Sequence, residues 1–440
     1  MLVVSGSLSG NDQQQRARPV VKFIHAADIH LDSPLRGLQC YDGAPLEEIR
    51  GATRRAFENL IQLAIDEEAA FVLLAGDLFD GDWRDYNTGL FFTRQMAGLH
   101  EAGIGAYVVA GNHDAASQIT KTLRPPQNVH VFATGAPETV LLERLGVAIH
   151  GQGYPTRAVT DDLTRRYPPA DPDLFNIGLL HTSLDGRPGH EAYAPCTLDG
   201  LRSRGYQYWA LGHVHNQEVV AEDPWVVFPG NTQGRNARET GAKGCTLVTV
   251  EAGRVVAVEH RALDVMRWSV CSANVSGART LDEVYERAGA ALARAVGDAD
   301  GRLVAARLRL EGACAVHTRL RATREQATNE CRSLAGIIGA GDLWIEKVVF
   351  DTRRAESEEV AIARDDAFGG LLRSIRDLEL DPAGLSQLAA EFAELSTKLP
   401  HDLRTGEEAF DPSRPECIRE CLEDVKSLLL ERLLSDGRAE

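Results

Sequence analysis

The sequence predicts an α/β protein of two facing β-sheets flanked by helices, followed by a small α+β cap domain and a helical C-terminal tail. Three observations predict it. Short apolar runs alternate with amphipathic helical segments through residues 20–110, the pattern of β-α-β units in a parallel sheet. From about residue 129 the helical pattern thins and strand follows strand to a hairpin near residue 260, which calls for a second sheet. Beyond residue 265 the alternation restarts on a smaller scale, and after residue 356 only charge-rich helical patterning is left. A chain of 440 residues exceeds one ordinary core. The expected division is 1–19 as a disordered arm, 20–264 as the main domain, 265–355 as the cap and 356–440 as the tail.

The elements follow in order. Residues 5–18 are rich in Gly, Ser and Gln and carry no apolar pattern. Val20–Ala27 reads as the first strand and ends in Asp28-Ile29-His30. A helix from Leu46 to Glu68 places Ile49, Ala52, Ala56, Leu60 and Leu63 on one face. Phe71–Leu74 is an all-apolar strand leading to Gly76-Asp77-Leu78-Phe79-Asp80. The helix Asn87–Glu101 and the strand Ala106–Ala110 deliver Gly111-Asn112-His113-Asp114. Val129–Phe132, Gly146–His150 and Phe175–Leu180 are assigned to the second sheet, the last running into His181. Tyr206–Leu211 leads to Gly212-His213-Val214-His215, and Trp225–Phe228 to Pro229-Gly230-Asn231. A hairpin, Cys245–Val250 with Val255–His260, closes the domain. In the cap, strands Trp268–Val275, Arg302–Leu310 and Leu343–Asp351 alternate with helices Leu281–Val296 and Thr323–Ile338. Tail helices are expected at Ala367–Leu378, Gly384–Leu395 and Glu416–Leu434.

Composition narrows the function classes. No apolar run reaches the length of a membrane span, and the opening residues lack a signal peptide's basic and apolar regions. The eight cysteines are scattered without a C-x-x-C pair, which favours a reduced, cytoplasmic setting over a disulfide framework. The net charge of −17 is concentrated in residues 356–440, which hold 21 acidic and 10 basic residues. A polyanionic substrate is therefore not excluded, because a metal-rich site itself needs surplus carboxylates.

The chemistry lies at the strand ends. Asp28, His30, Asp77, Asn112, His181, His213 and His215 each follow a predicted strand. One Asp-x-His or His-x-His alone is more often a solvated turn; five such pieces in one order point to metal. A mixed carboxylate, imidazole and amide set suits Mn, Fe or Zn better than Ca or Mg. Two such ions clamp a phosphoryl group and lower the pKa of water enough to supply a nucleophile at neutral pH. Asp77 is the candidate bridge between them. His113, beside Asn112, is the candidate acid for the leaving oxygen, with Asp80 on its other nitrogen and Asp114 behind. Asp32 and Arg36, in the loop after His30, are equally readable as substrate contacts or as loop structure. Asn231, Arg235, Arg307 and Arg309 complete the candidate substrate contacts, and the cap adds Arg319, Arg321, Arg353 and Arg354.

Taken together, Asp28-x-His30, Gly76-Asp77-x-x-Asp80, Gly111-Asn112-His113-Asp114, His181 and Gly212-His213-x-His215 resemble the calcineurin-like metallophosphoesterases. Within them, Asp28-Ile29-His30-Leu31-Asp32-Ser33-Pro34-Leu35-Arg36, Tyr208-Trp209-Ala210-Leu211-Gly212-His213 and Pro229-Gly230-Asn231-Thr232-Gln233-Gly234-Arg235 are similar to the SbcD-type DNA-repair nucleases and bacterial YhaO-type proteins. That resemblance implies two Mn ions per chain. One would take Asp28, His30, Asp77 and His215, the other Asp77, Asn112, His181 and His213. It also implies DNA as substrate, a homodimer, and an SbcC-like coiled-coil ATPase as partner, docked by the tail. A small-molecule nucleotide phosphoesterase and a regulatory subunit of the ATPase complex are the alternatives. The cap and tail speak against the first, and the complete ligand set against the second.

Overall fold

A computed structural model describes residues 20–33, 46–80, 86–116, 125–186, 193–354 and parts of 369–425. The chain forms two compact units that are discontinuous in sequence. The first takes the described residues of Met1–Pro34, Gly51–Gln233 and Lys243–Asp264; the second takes those of Leu35–Arg50, Gly234–Ala242 and Val265–Glu440.

The first unit holds two six-stranded mixed sheets. One is built from β1 (Val21–Ala26), β2 (Phe71–Leu74), β3 (Gly105–Val108) and β4 (Val129–Val131), all parallel. The hairpin β11 (Gly244–Glu251) and β12 (Arg254–Ala262) joins it antiparallel to β1, giving the order β12-β11-β1-β2-β3-β4. The crossovers from β1 to β2 and from β2 to β3 are α1 (Leu46–Asp66) and α2 (Tyr86–Glu101), as their apolar periodicity demands. Ile24, Val72 and Ala106 of the sheet pack there with Phe57, Leu60, Phe92 and Met96. The second sheet has the order β5 (Glu138–Leu142), β6 (Val147–Gly151), β7 (Phe175–His181), β8 (Tyr208–Gly212), β10 (Trp225–Phe228) and β9 (Glu218–Glu222). Its four inner strands, β6, β7, β8 and β10, are parallel, and both edges are antiparallel. Between the sheets Phe23, Phe71, Leu73, Phe132, Ile177, Tyr208 and Val248 form one buried cluster.

One expectation about the sheets is corrected. Val129–Val131 is the edge strand of the first sheet rather than a member of the second. It is placed there by Ala106 N–H donating to Asn128 O and by Asn128 Nδ2 donating to the carbonyls of Met96 and Ile104. The closing hairpin extends the same sheet, with Val21 opposite Val250. The edge strands β5 and β9 carry no clear period-2 apolar signal, since both lie half-exposed with charged ends.

The second unit contains three parallel strands in sequence order, β13 (Met266–Asn274), β14 (Leu303–Cys314) and β15 (Leu343–Arg354). Following α3 (Asn112–Ala116) and α4 (Leu198–Arg202) of the first unit come α5 (Leu281–Gly297), α6 (His317–Ala322) and α7 (Arg324–Gly339). A capping box starts α5: the Thr280 side chain accepts from Glu283 N–H, and the Glu283 carboxylate accepts from Arg279 N–H. Leu292 and Val284 of α5 and Cys331 and Ala335 of α7 cover one face of the sheet, against Val304, Leu308 and Phe350. Tail residues described include α8 (Pro382–Glu391), where Leu385 and Ala389 pack with Ile418 and Leu422. Half of the expected Ala367–Leu378 helix and the stretch beyond residue 425 lie outside the described residues.

Candidate metal centre

All seven expected ligands stand at the carboxyl ends of strands in the first unit. Asp28 and His30 follow β1, Asp77 follows β2, and Asn112 opens α3 after β3. His181 ends β7, and His213 and His215 follow β8. Those ends are where side chains from adjacent parallel strands converge. Convergence requires sharp backbone turns. Asp28, His30, Asp77 and His213 all have positive φ, at 51°, 47°, 54° and 106°. Left-handed backbone costs a non-glycine residue roughly 1–2 kcal/mol and persists where its surroundings over-determine it. Here the two turns are zipped together: Asp28 N–H donates to Gly76 O, His30 N–H to Asp77 O and Leu31 N–H to Leu78 O, at 3.0, 3.0 and 2.8 Å. Gly76 itself has φ 95°, and a Cβ there would lie 2.5 Å from His181 Nδ1.

Three groups of side chains offer ligand atoms that all lie within 4.8 Å of one another: Asp28, His30 and His215; Asp28, Asp77 and His181; and His30, Asp77 and His113. Asn112 and His213 complete the second side. Asn112 Oδ1 is 2.9 Å from His181 Nε2, and the His213 ring lies 5.2 Å from that of His181. His213 N–H also donates to Asp28 Oδ2 at 2.9 Å.

Donor chemistry tests whether a cation fits. His181 Nδ1 lies 2.9 Å from the carbonyl of Ala75, which can only accept, so Nδ1 carries a proton. Its Nε2 then faces Asn112 Oδ1 at 2.9 Å and Asp77 Oδ2 at 3.5 Å. Three electron-pair donors converging in a fully buried place need either a second imidazole proton or a cation between them. His30 is set the same way, donating Nδ1–H to Asp80 Oδ1 at 2.8 Å and turning Nε2 toward the cluster. The residues fit divalent metal.

Asp80 also lies beside His113, whose Nδ1 is 2.9 Å from the same oxygen. One carboxylate oxygen thus orients two imidazoles, which the sequence did not suggest. Burial alone would push the Asp80 carboxyl up, but hydrogen bonds from His113, His30 and Ser33 and the charge of His30 outweigh it and hold the group well below the ordinary carboxylate range. Asp114 is not behind this pair. It accepts from the backbone N–H groups of Leu78, Phe79 and Gly111 and so braces the turn that carries Asp77. Burial, with the charge of Asp77 added, pushes its carboxyl up to about 7 against those hydrogen bonds. Tyr154, which no sequence pattern marked, donates its hydroxyl to the carbonyl of His181 at 2.7 Å.

The candidate substrate contacts fare differently. Asp32 is held by Arg54, whose Nε donates at 2.7 Å, and by the Thr88 hydroxyl, an arrangement that supports the loop reading. Arg36 lies outside the described residues. Asn231 is fully buried and donates to the carbonyl of Gln233. In the second unit, Arg235 pairs with Glu239, Arg307 forms a two-pronged pair with Glu346 at 2.9 and 2.7 Å, and Arg309 pairs with Asp351. The arginine charge expected to face a substrate is thus largely compensated within the sheet at Arg307 and Arg309.

Comparison with known families agrees with this geometry. Residues 21–217 match the model of the calcineurin-like phosphoesterases. Those residues form a calcineurin-like metallophosphoesterase domain. Residues 268–353 match the middle domain of metallophosphoesterase YhaO. The uncharacterized metallophosphoesterase YhaO of Bacillus subtilis is 39% identical over 268 residues, covering 60% of this chain and 65% of that protein. The chain therefore spans just under two thirds of that relative's length. The DNA double-strand break repair protein Mre11 of Sulfurisphaera tokodaii is 26% identical over 59% of this chain and 67% of its own. The SbcD component of the Escherichia coli nuclease SbcCD is 23% identical over 54% of this chain and 68% of its own. The phosphoesterase fold implies a dinuclear divalent-metal site, and the clusters of histidine and aspartate described for the first unit are the candidates to hold it.

Proposed function

We propose that this chain is a two-metal phosphodiesterase that cleaves DNA, with Mn as the preferred ion. The observation that carries the reading is the convergence of the seven candidate ligands, Asp77 among them, with His113 at their edge. When bound, the metals supply Lewis-acid polarisation of the phosphoryl group and a water nucleophile at neutral pH. Asp77 holds the two sides of the centre together, its Oδ1 fixed by His113 N–H at 2.9 Å. His113 is 35% exposed at its side chain, so its Nε2 is reachable from solvent, and Asp80 keeps its Nδ1 protonated. Such an imidazole delivers a proton to the leaving oxygen or stabilises its charge. Mn rather than Ca or Mg follows from the mixed imidazole, amide and carboxylate set.

DNA as substrate and repair as context are supported by the names of the relatives aligned with the phosphoesterase domain, one of them a subunit of a nuclease; a homodimer and a coiled-coil ATPase partner extend that reading from the sequence resemblance. In this reading residues 20–264 are the nuclease, 265–355 the cap and 356–440 the docking tail of a cytoplasmic complex. Among the described residues no helix is long and apolar enough to cross a membrane. A second reading, a phosphoesterase for small nucleotides, gains from the pairing of Arg307 and Arg309 with acidic partners. Purified protein with Mn, offered end-labelled single- and double-stranded DNA beside bis-p-nitrophenyl phosphate, separates the two. Mn-dependent cutting of DNA is expected. Hydrolysis of the small diester alone would favour the second reading, and no hydrolysis of either with any divalent metal would sink both.

A further inference from the structure

Lys243 is 4% exposed, an unusual depth for a lysine, and the reaction above makes no use of it. Its ammonium donates to the backbone carbonyl of His215 at 2.8 Å and to Asn216 Oδ1 at 3.3 Å. A second strand of chain reaches the same carbonyl: Asn231 N–H lies 3.4 Å from His215 O, and Gly244 N–H donates to Asn231 O at 3.1 Å. Gly230 lets that strand approach, since a Cβ there would stand 3.1 Å from His215 O. The turn carrying His213 and His215 is thus gripped from outside by residues 230–231 and 243–244. Asn231, expected to touch substrate, is part of this grip.

The chain between the gripping residues belongs elsewhere. Gly234–Ala242 is part of the second unit. There Trp268 Nε1–H donates to Gly234 O at 3.1 Å, Gly241 N–H donates to Trp268 O at 3.2 Å, and Ala237 is buried with Met266, Trp268 and Trp344. Lys243 is therefore the first residue of the phosphoesterase unit after an excursion whose middle is anchored in the cap.

We propose that Lys243 is a positioning residue for the metal centre: its ammonium fixes the backbone of His215 so that this imidazole meets Asp28 and His30 in ligand geometry. This inference rests on the dimetal reading. A lost outer hydrogen bond at a metal ligand typically costs about 10–100-fold in affinity. The loss should fall mainly on the ion that takes His215, because the carbonyl held by Lys243 at 2.8 Å is His215's own, two residues beyond His213.

The test counts Mn bound to the full chain during titration, by elemental analysis and by the electron paramagnetic resonance of free Mn. Wild type should bind about two ions, and failure there would overturn the dimetal reading itself. Lys243→Met should bind one ion with unchanged affinity and the other about 10–100-fold more weakly, and Lys243→Arg should recover part of that affinity. With the small diester, Lys243→Met should show a raised Mn requirement but near-normal turnover once Mn saturates. Two ions bound with wild-type affinity, or equal weakening of both, would overturn the proposal. If Lys243→Met does not fold, exposed Asn216→Ala decides: it removes one acceptor of the same ammonium and should weaken the same ion by a smaller factor. Unchanged Mn binding in that variant would overturn the proposal as well.

Discussion

Asp80 Oδ1 accepts from His30 at 2.8 Å and from His113 at 2.9 Å, so one oxygen serves a candidate ligand and the candidate acid. Substitutions at the three residues should therefore separate. His113→Ala should keep both metals and lose about 10²–10⁴-fold in turnover, the usual contribution of a general acid. Asp80→Ala should lower turnover and also weaken Mn by about 10–100-fold in a chelator competition. If His113→Ala instead sheds metal and turns over normally when Mn is saturating, His113 is a ligand, as its place beside His30 and Asp77 would then mean. The residue types at these positions were readable because each follows a strand within a few residues. The second partner of Asp80 was not, since His30 and Asp80 are 50 residues apart and meet only through the pairing of two turns. His25, three residues before Asp28, has a separate consequence. It donates Nε2–H to Leu211 O and accepts from the Tyr208 hydroxyl, and burial pushes its pKa down from 6.5 to about 3. Above pH 6.5 the ring is neutral in both folded and unfolded chains and has no effect. As pH falls toward 3, the unfolded chain takes up a proton that the folded chain refuses, and stability drops. Metal-free His25→Gln should lose less stability than wild type between pH 7 and 4 in urea titrations; parallel curves would show that His25 is not held neutral.

At the scale of elements, the turn after β2 is the critical piece. Gly76→Ala places a methyl 2.5 Å from His181 Nδ1 on backbone with φ 95°, so it should displace His181 and abolish Mn binding on that side. Mn titration with thermal melts checks this, and two ions bound as in wild type would mean that the turn yields more easily than its hydrogen bonds suggest. The helices and inner strands were legible because α1, α2, α5 and α7 keep one apolar stripe, and β2, β7 and β8 are mostly apolar and buried throughout. The allegiance of β4 was not, because three residues carry no face preference and the sheet is chosen by Asn128 contacts made far away in sequence. In β14, Arg307 pairs with Glu346, which lies at a bulge of β15 and is itself 4% exposed. Arg307→Ala would strand that carboxylate, and removing one partner of a buried pair typically costs about 3–5 kcal/mol, less where solvent reaches the arginine as here. The cap should melt several degrees lower, and an unchanged Tm would mean Glu346 finds another partner.

For the whole molecule, substrate size is the open axis on which sequence and structure differ most. Basic residues were visible in the cap, but sequence does not reveal which of them face acids across the sheet. Arg307 and Arg309 do. Exposed Arg319 and Arg353 are then better probes of a DNA backbone. Charge reversal at both should flatten the salt dependence of DNA binding by about two units of log–log slope while sparing the small diester. An unaltered slope would place any DNA elsewhere. In the tail, Ile418 and Leu422 already pack on Leu385, Leu388 and Ala389, so the start of the apolar face expected to dock a partner is occupied internally. Val425, half-exposed, continues it. Deleting residues 360–440 should abolish capture of the ATPase and leave diester hydrolysis intact; aggregation of the shortened chain would make the tail part of the fold.

The excursion Gly234–Ala242 also governs how the gene can be dissected. A stop codon after residue 264 looks like a clean domain cut, yet the shortened polypeptide would keep Leu35–Arg50 and Gly234–Ala242 without the unit to which they belong. Ala237 would lose Met266, Trp268 and Trp344 at once and present its loop to water. Neither half is a transplantable cassette, and a chimaera that swaps the cap between relatives has to exchange three separate stretches of coding sequence together.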